Sequence, residues 1–144
     1  MENLNVSKYQ YYEDVNPALI NHIPSKVEIL DVGCGYAALW ERINNKENYV
    51  VGLEVNSSAI KVAKERLDKV YQVDITDKKQ VQDVLEDKKF DIIIFADVLE
   101  HLYDPFTILQ DYKSFCWEEC GPPCFRQTVL ESKKHEDQET DPVF

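Results

Sequence analysis

The sequence predicts an α/β fold: an open, all-parallel sheet with helical crossovers, truncated after a fourth strand and its helix. Three observations predict it. Short apolar runs alternate with helical periodicity from Val27 to Phe115. The fourth of these runs, Phe90–Ala96 (FDIIIFA), is almost uniformly apolar in its second half, as a strand covered on both faces is. Capping residues stand where the intervening helices should begin, and strands alternating with helices favour right-handed βαβ crossovers.

Val27–Val32 (VEILDV) reads as the first strand, ending in a glycine-rich turn, and Ala37–Asn45 as the helix after it. Tyr49–Glu54 (YVVGLE) is the second strand. Asn56, a good N-cap, opens a helix expected to reach about Lys69, with Ala59, Ile60, Ala63 and Leu67 on one face. Val70–Val73 is a short third strand. Asp77 with Gln80 three residues on resembles a capping box ahead of Val81, Val84 and Leu85. After the fourth strand, Asp104-Pro105 supplies an N-cap and a proline at the first helical position, and Ile108, Leu109, Tyr112 and Phe115 form the apolar stripe.

Three segments follow: residues 1–25 as an N-terminal flap carrying Tyr9, Tyr11, Tyr12, Leu19 and Ile20; residues 26–116 as the α/β domain; residues 117–144 as an atypical, largely disordered tail. Gly121-Pro122-Pro123 stops any helix, ESKKHEDQETD at Glu131–Asp141 has no apolar residue, and only Phe125–Leu130 offers a further, weak strand.

The chain has 144 residues, one domain's worth, and 44% hydrophobic with 30% charged residues sets it apart from disordered sequences. No apolar run approaches the ~20 residues of a membrane span, and the N-terminus lacks a basic region followed by an apolar stretch, so a cytoplasmic protein without membrane contact is expected. The net charge of −11 opposes nucleic acid as a direct partner. The clusters Lys61/Lys64/Arg66/Lys69 and Lys78/Lys79/Lys88/Lys89 alternate with acids and read as solvated helix faces. Cys34, Cys116, Cys120 and Cys124 are expected to be reduced. C-x3-C-x3-C with His135 beyond is a weak zinc pattern, and no metal site is expected.

The chemistry lies at the strand ends. Asp31-Val32-Gly33-Cys34-Gly35 joins the first strand to a helix. Glycines there let a ligand approach the backbone, and the helix start offers free N–H groups. Glu54 ends the second strand, beside the first strand's end, where an acid can accept both hydroxyls of a ribose. Asp74 closes the third strand in the same row, in reach of an adenine amino group. Glu54 and Asp74 as mere helix-preceding caps is the bland alternative; the full set on one carboxyl edge argues for a ligand site.

VEILDVGCGYAALWERI, VVGLEVNSSAIKVAKERL, YQVDITD and FDIIIFADVLEHLYDPFTIL, in this order from Val27 to Leu109, resemble successive motifs of the class I methyltransferases that use S-adenosylmethionine, a Rossmann-like family. The resemblance implies methyl transfer to a small molecule or a protein side chain. It implies that Asp31, Gly33, Cys34 (by its backbone) and Gly35 surround the methionine part of the cofactor and that Glu54 takes the ribose hydroxyls. The resemblance further implies that Asp74 and the backbone of Ile75 hold the adenine with Val55 packed on its ring, and that Ala96 and Asp97 border the methionyl group and the substrate entrance.

His101 is the candidate base for an acceptor that must lose a proton, a role suited to imidazole; a cap or packing role is the competing reading. Asp97 orients substrate or begins a turn, and His22 reads as structural. Residues 33–38 also satisfy G-x-G-x-x-A, with Glu54 about 20 residues on, as in an NAD-dependent oxidoreductase. Asp31, however, suits a cationic amino group and opposes a pyrophosphate. Serine nucleophilic catalysis has no elbow motif.

The family's sheet continues into a long apolar fifth strand where this chain has CWEECGPPCFRQTVL. A fourth strand left as an edge would expose Ile92–Phe95, a pairing liability. A truncated product, a half-domain completed by a dimer or partner chain on that edge, and a small fold using Phe125–Leu130 all remain open. So does a catalytically silent binding or interaction module in place of an enzyme.

Overall fold

The computed structural model describes residues 20–21, 23–43, 47–96, 98–117 and 127–128. The strands are β1 (Glu28–Val32), β2 (Tyr49–Glu54), β3 (Lys69–Gln72), β4 (Ile92–Ile94) and β5 (Gln127–Thr128). The helices are α1 (Ala38–Arg42), α2 (Ser57–Arg66), α3 (Lys78–Leu85) and α4 (Pro105–Tyr112), with 3-10 turns at Leu99–His101 and Lys113–Phe115. All strand pairs are parallel, in the order β3-β2-β1-β4-β5. Tyr9, Tyr11, Tyr12, Leu19, His22, Asp97, Cys120, Cys124 and His135 lie outside the described residues.

Strand alternation sorts the core onto two faces. Ile29, Val50, Ile92 and Ile94 pack with Leu39 and Trp40 of α1 and Ile60 and Ala63 of α2. Leu30, Val32, Val51, Leu53 and Ile93 point the other way, toward Val81 and Leu85 of α3 and Ile108 and Tyr112 of α4. The three residues of β4 are all buried, which explains its unbroken apolar run.

The caps hold at atomic detail. Asn56 Oδ1 accepts the N–H groups of Ser58 and Ala59 at 2.9 and 3.2 Å, and Asp104 Oδ1 that of Thr107 at 3.1 Å, with Pro105 at the first helical turn. The capping box at Asp77 is only half formed. Asp77 Oδ1 accepts from the Gln80 N–H, but the Gln80 amide donates to Asp77 Oδ2 and its Oε1 accepts from the Asp74 N–H instead. Gln80 thereby ties α3 to the end of β3.

Several expected boundaries shift. β1 begins at Glu28, and α1 is a single short helix over Ala38–Arg42 that follows Ala37 rather than starting on it. α2 ends at Arg66, not near Lys69, because Leu67 turns extended and Asp68 joins the sheet: its Oδ2 accepts the Val50 N–H at 2.7 Å, and its own N–H donates to the Val50 carbonyl. The expected exposure of Ile92–Phe95 does not occur. Ile92 and Phe95 are buried, Phe95 meets Tyr112 edge-on at 5.3 Å, and Ile93 and Ile94 pair with Gln127 and Thr128. The sheet thus gains a two-residue strand from within Phe125–Leu130. Arg66 is not a solvated lysine-like charge; its guanidinium is tied back to the first turn, as described below.

Candidate cofactor site

The turn after β1 depends on left-handed backbone. Gly33 and Gly35 have φ of 71° and 55°, a conformation that costs an L-residue roughly 1–2 kcal/mol. Ala37 nonetheless adopts φ 60° at the N-cap of α1. The turn is anchored to its neighbours: Cys34 N–H donates to the Leu53 carbonyl at 3.0 Å, and Arg66 Nη1 donates to the Tyr36 carbonyl at 2.9 Å while Nη2 pairs with Glu41 Oε1 at 2.6 Å. Gly52 of β2 is needed beneath it, since a Cβ there would lie 2.8 Å from Cys34 Sγ.

Glu54, half-buried at the end of β2, grips this turn. Its Oε2 accepts the Gly35 N–H at 2.8 Å, and its Oε1 accepts the Val55 and Asn56 N–H groups at 3.0 and 3.1 Å. Three main-chain donors fix the carboxylate's rotamer at the mouth of the turn, and lone pairs remain for further donors. Val55 next to it is 61% exposed, an apolar surface with no cover.

Asp31 lies deeper. It occupies the last pleat of β1 that faces α1, is 3% exposed, and its Oδ2 accepts the Trp40 indole N–H at 2.7 Å. It accepts no other hydrogen bond among the described residues, so a buried carboxylate oxygen stands without a donor. Burial raises its pKa to about 6, with the Trp40 hydrogen bond opposing and the Glu54 charge adding to the rise. Burial, with Asp31 and Glu54, also pushes the Cys34 thiol well up, so this cysteine is a neutral packing group.

The adjacent strand completes the rim. Gln72 of β3 sits opposite Glu54, the Val73 N–H donates to the Glu54 carbonyl, and the Gln72 amide donates to the Val55 carbonyl at 3.1 Å. Asp74 follows on the same edge, exposed, with Oδ1 accepting from the Thr76 hydroxyl and N–H at 2.7 and 2.9 Å; these bonds lower its pKa. Tyr112 of α4 holds the Ile75 carbonyl at 2.9 Å. A Cβ on Gly33 would fall 2.7 Å from Val98 Cγ2 and 3.8 Å from Ile75 Cδ1, so the exits of β1, β3 and β4 meet at this glycine. Ala96 is half-buried just past β4. His101, in the 3-10 turn beyond, is exposed, with Nε2 3.7 Å from Glu100 Oε1.

The structure therefore brings Asp31, Gly33, Cys34, Gly35, Glu54, Val55, Asp74, Ile75 and Ala96 to one carboxyl edge. Trp40, Val98 and Arg66 join them unannounced by motif. A buried tryptophan's need for an acceptor is the signal that could have flagged Trp40. The residues fit a nucleoside with a cationic group: acids at the ends of β2 and β3, open apolar Val55, and an unpartnered carboxylate oxygen under the turn. That buried acid is hostile to a pyrophosphate, which disfavours the dinucleotide alternative. Among the described residues, no group of side chains is arranged to hold a metal ion.

Sheet order, glycine turn and acid-lined edge define a Rossmann-like α/β protein. The sequence profile of the methyltransferase domain family matches residues 23–121, and the chain belongs to that family. It is 30% identical over 112 residues to a ubiquinone biosynthesis O-methyltransferase of Actinobacillus pleuropneumoniae serotype 5b (strain L20), covering 69% of this chain and 48% of that protein. It is 29% identical over 114 residues to the protein of that name from Nitrosomonas europaea, covering 72% and 48%. The chain spans about half the length of the curated relatives it matches. Among solved structures, it resembles a TehB-like SAM-dependent methyltransferase from Corynebacterium glutamicum (TM-score 0.55, 18% identity, 76% of this chain and 65% of that one). It also resembles coclaurine N-methyltransferase bound to N-methylheliamine and S-adenosylhomocysteine (TM-score 0.55, 18% identity, 69% and 32%). These likenesses establish the fold.

Proposed function

We propose that the chain binds S-adenosylmethionine along this edge and transfers its methyl group to a small molecule or a protein side chain. The observation that carries the reading is the Glu54 carboxylate, locked by Gly35, Val55 and Asn56 N–H groups at the mouth of the glycine turn. Its remaining lone pairs accept the ribose hydroxyls. Asp74 and the Ile75 backbone hold the adenine against Val55, while Asp31, Gly33, Cys34, Gly35 and Ala96 enclose the methionine end. When bound, the sulfonium supplies an activated methyl group, so the protein's contribution is alignment and exclusion of water. His101 removes the acceptor's proton where the nucleophile is a hydroxyl or amine, and Asp97 orients the acceptor. The relatives named O-methyltransferases favour a hydroxyl acceptor.

The cofactor unit spans residues 26–116, between an N-terminal flap and a tail. A cytoplasmic location accords with the described residues, among which no helix is long and apolar enough to cross a membrane. A second copy or partner chain would extend the sheet beyond the two-residue β5, which sedimentation of the purified chain tests.

Calorimetric titration with S-adenosylmethionine and S-adenosylhomocysteine tests the cofactor assignment. Saturable one-to-one binding is expected, weakened at least tenfold in Glu54→Gln, which removes the charge but keeps an acceptor (about 1.5 kcal/mol or more). Absence of heat with both ligands overturns it. Transfer of labelled methyl to a pool of hydroxyl and protein acceptors, lost in His101→Ala with cofactor affinity unchanged, supports the base assignment. Partner binding without any transfer supports the silent module.

A further inference from the structure

Trp40 has no part in the reading above, yet its indole makes the one hydrogen bond that, among the described residues, reaches the Asp31 side chain. Ile29 and Asp31 share the pleat that faces α1, and α1 buries Trp40 against it. A buried indole N–H needs an acceptor and finds Asp31 Oδ2 at 2.7 Å. The groups around that carboxylate, among the described residues, do nothing else to keep it charged. Glu54 on β2 repels it, the Cys34 thiol in the turn is neutral, and Ile94, its register partner on β4, is apolar. On the helix side, α2 contributes apolar Ile60 and Ala63, and the Arg66 guanidinium is engaged with Tyr36 and Glu41.

We propose, building on the cofactor reading above, that Trp40 is a positioning residue: its indole N–H fixes the Asp31 carboxylate with Oδ1 left for a cationic ligand group and keeps it ionised, so that cofactor binding fails in acid at a point set by this hydrogen bond. Burial places that point at about pH 6. Below it, affinity falls about tenfold per pH unit, the signature of one proton that must leave before the ligand can bind. Trp40→Phe keeps an aromatic ring in the core and removes only the donor. A hydrogen bond to a charged group shifts a carboxyl's titration by about one pH unit or more, so the midpoint rises to about 7.

Two measurements on the full chain test this. The first is calorimetry with S-adenosylhomocysteine from about pH 5 to pH 8. The Trp40→Phe curve should be displaced upward by about one unit, giving about fivefold weaker binding at pH 6, about tenfold at pH 5 and nearly equal binding at pH 8, while Asp31→Asn binds weakly with little pH dependence. The second is the indole Nε1–H resonance of Trp40 in the ligand-free protein, assigned by its loss in Trp40→Phe. It should titrate with a midpoint near pH 6 in the wild type and not in Asp31→Asn. A loss in Trp40→Phe by the same factor at every pH, or an indole resonance that does not move, overturns the proposal. Absence of wild-type binding at pH 8 overturns the cofactor reading and with it the ligand half of this one. The indole titration, which needs no ligand, decides the clamp separately.

Discussion

Asp31→Asn is expected to make the protein more stable at neutral pH. In the folded chain the carboxyl titrates at about 6 instead of its ordinary 3.8, chiefly because it is buried. Between those values the native state holds a proton that the unfolded chain has released. Stability from this group therefore falls as pH rises through the window and levels off above it. A little over two pH units at about 1.4 kcal/mol each makes the cost of the buried charge about 3 kcal/mol. Asparagine stays neutral throughout and still offers an oxygen to the Trp40 indole. The Asp74 and Asp104 carboxyls, held low first by the Thr76 and Thr107 hydroxyls, titrate alike in both proteins and cancel. Urea unfolding of wild type and variant, repeated from pH 4 to pH 8, should show the variant's advantage growing by about 2.5 kcal/mol across the range, since a small part of the change already lies below pH 4. A difference that is constant with pH would refute the reasoning. Under the proposed cofactor reading, the same buried charge is what a cationic ligand group would offset.

Two further substitutions probe the rim and its supports. Gly33→Ala places a Cβ 2.7 Å from Val98 Cγ2 at φ 71°, and should cost about 2 kcal/mol. Adding Val98→Ala should return part of this, because the clash goes while the backbone strain stays; strictly additive losses in denaturant titrations contradict the contact. Asn56→Ala removes the acceptor for the Ser58 and Ala59 N–H groups and should cost about 1 kcal/mol. That is a drop of several degrees in a thermal melt, and an unchanged midpoint would show that the cap is dispensable.

Local physics made much of this fold legible in the sequence. β2 spans Tyr49–Glu54 as its apolar run indicates, and Asn56, Asp77 and Asp104 each cap the helix they precede. The strand-end acids converge because parallel strands put every strand's carboxyl end on one edge, so Glu54 and Asp74 needed no long-range inference. Contacts that join distant elements were not legible. Arg66 reads as one charge in a basic helix face, yet it bonds a carbonyl thirty residues back. Asp68 reads as the end of a helix, yet its carboxylate accepts the Val50 N–H and so ends α2. Trp40 reads as one more apolar helix residue until the pleat of β1 sets Asp31 beside it. The apolar run of Phe90–Ala96 asked for cover on both faces, but periodicity did not say what supplies it: Phe95 packs on Tyr112, and Ile93 and Ile94 pair with β5.

Amide chemical-shift mapping with S-adenosylhomocysteine tests the central claim most directly, because it asks where a nucleoside ligand sits. Saturable shifts are expected to centre on Gly33, Gly35, Glu54, Val55, Asn56, Asp74 and Ile75, with the amino ends of the strands at Glu28, Tyr49 and Lys69 unmoved. Shifts centred on those amino ends, or none that saturate, would contradict it.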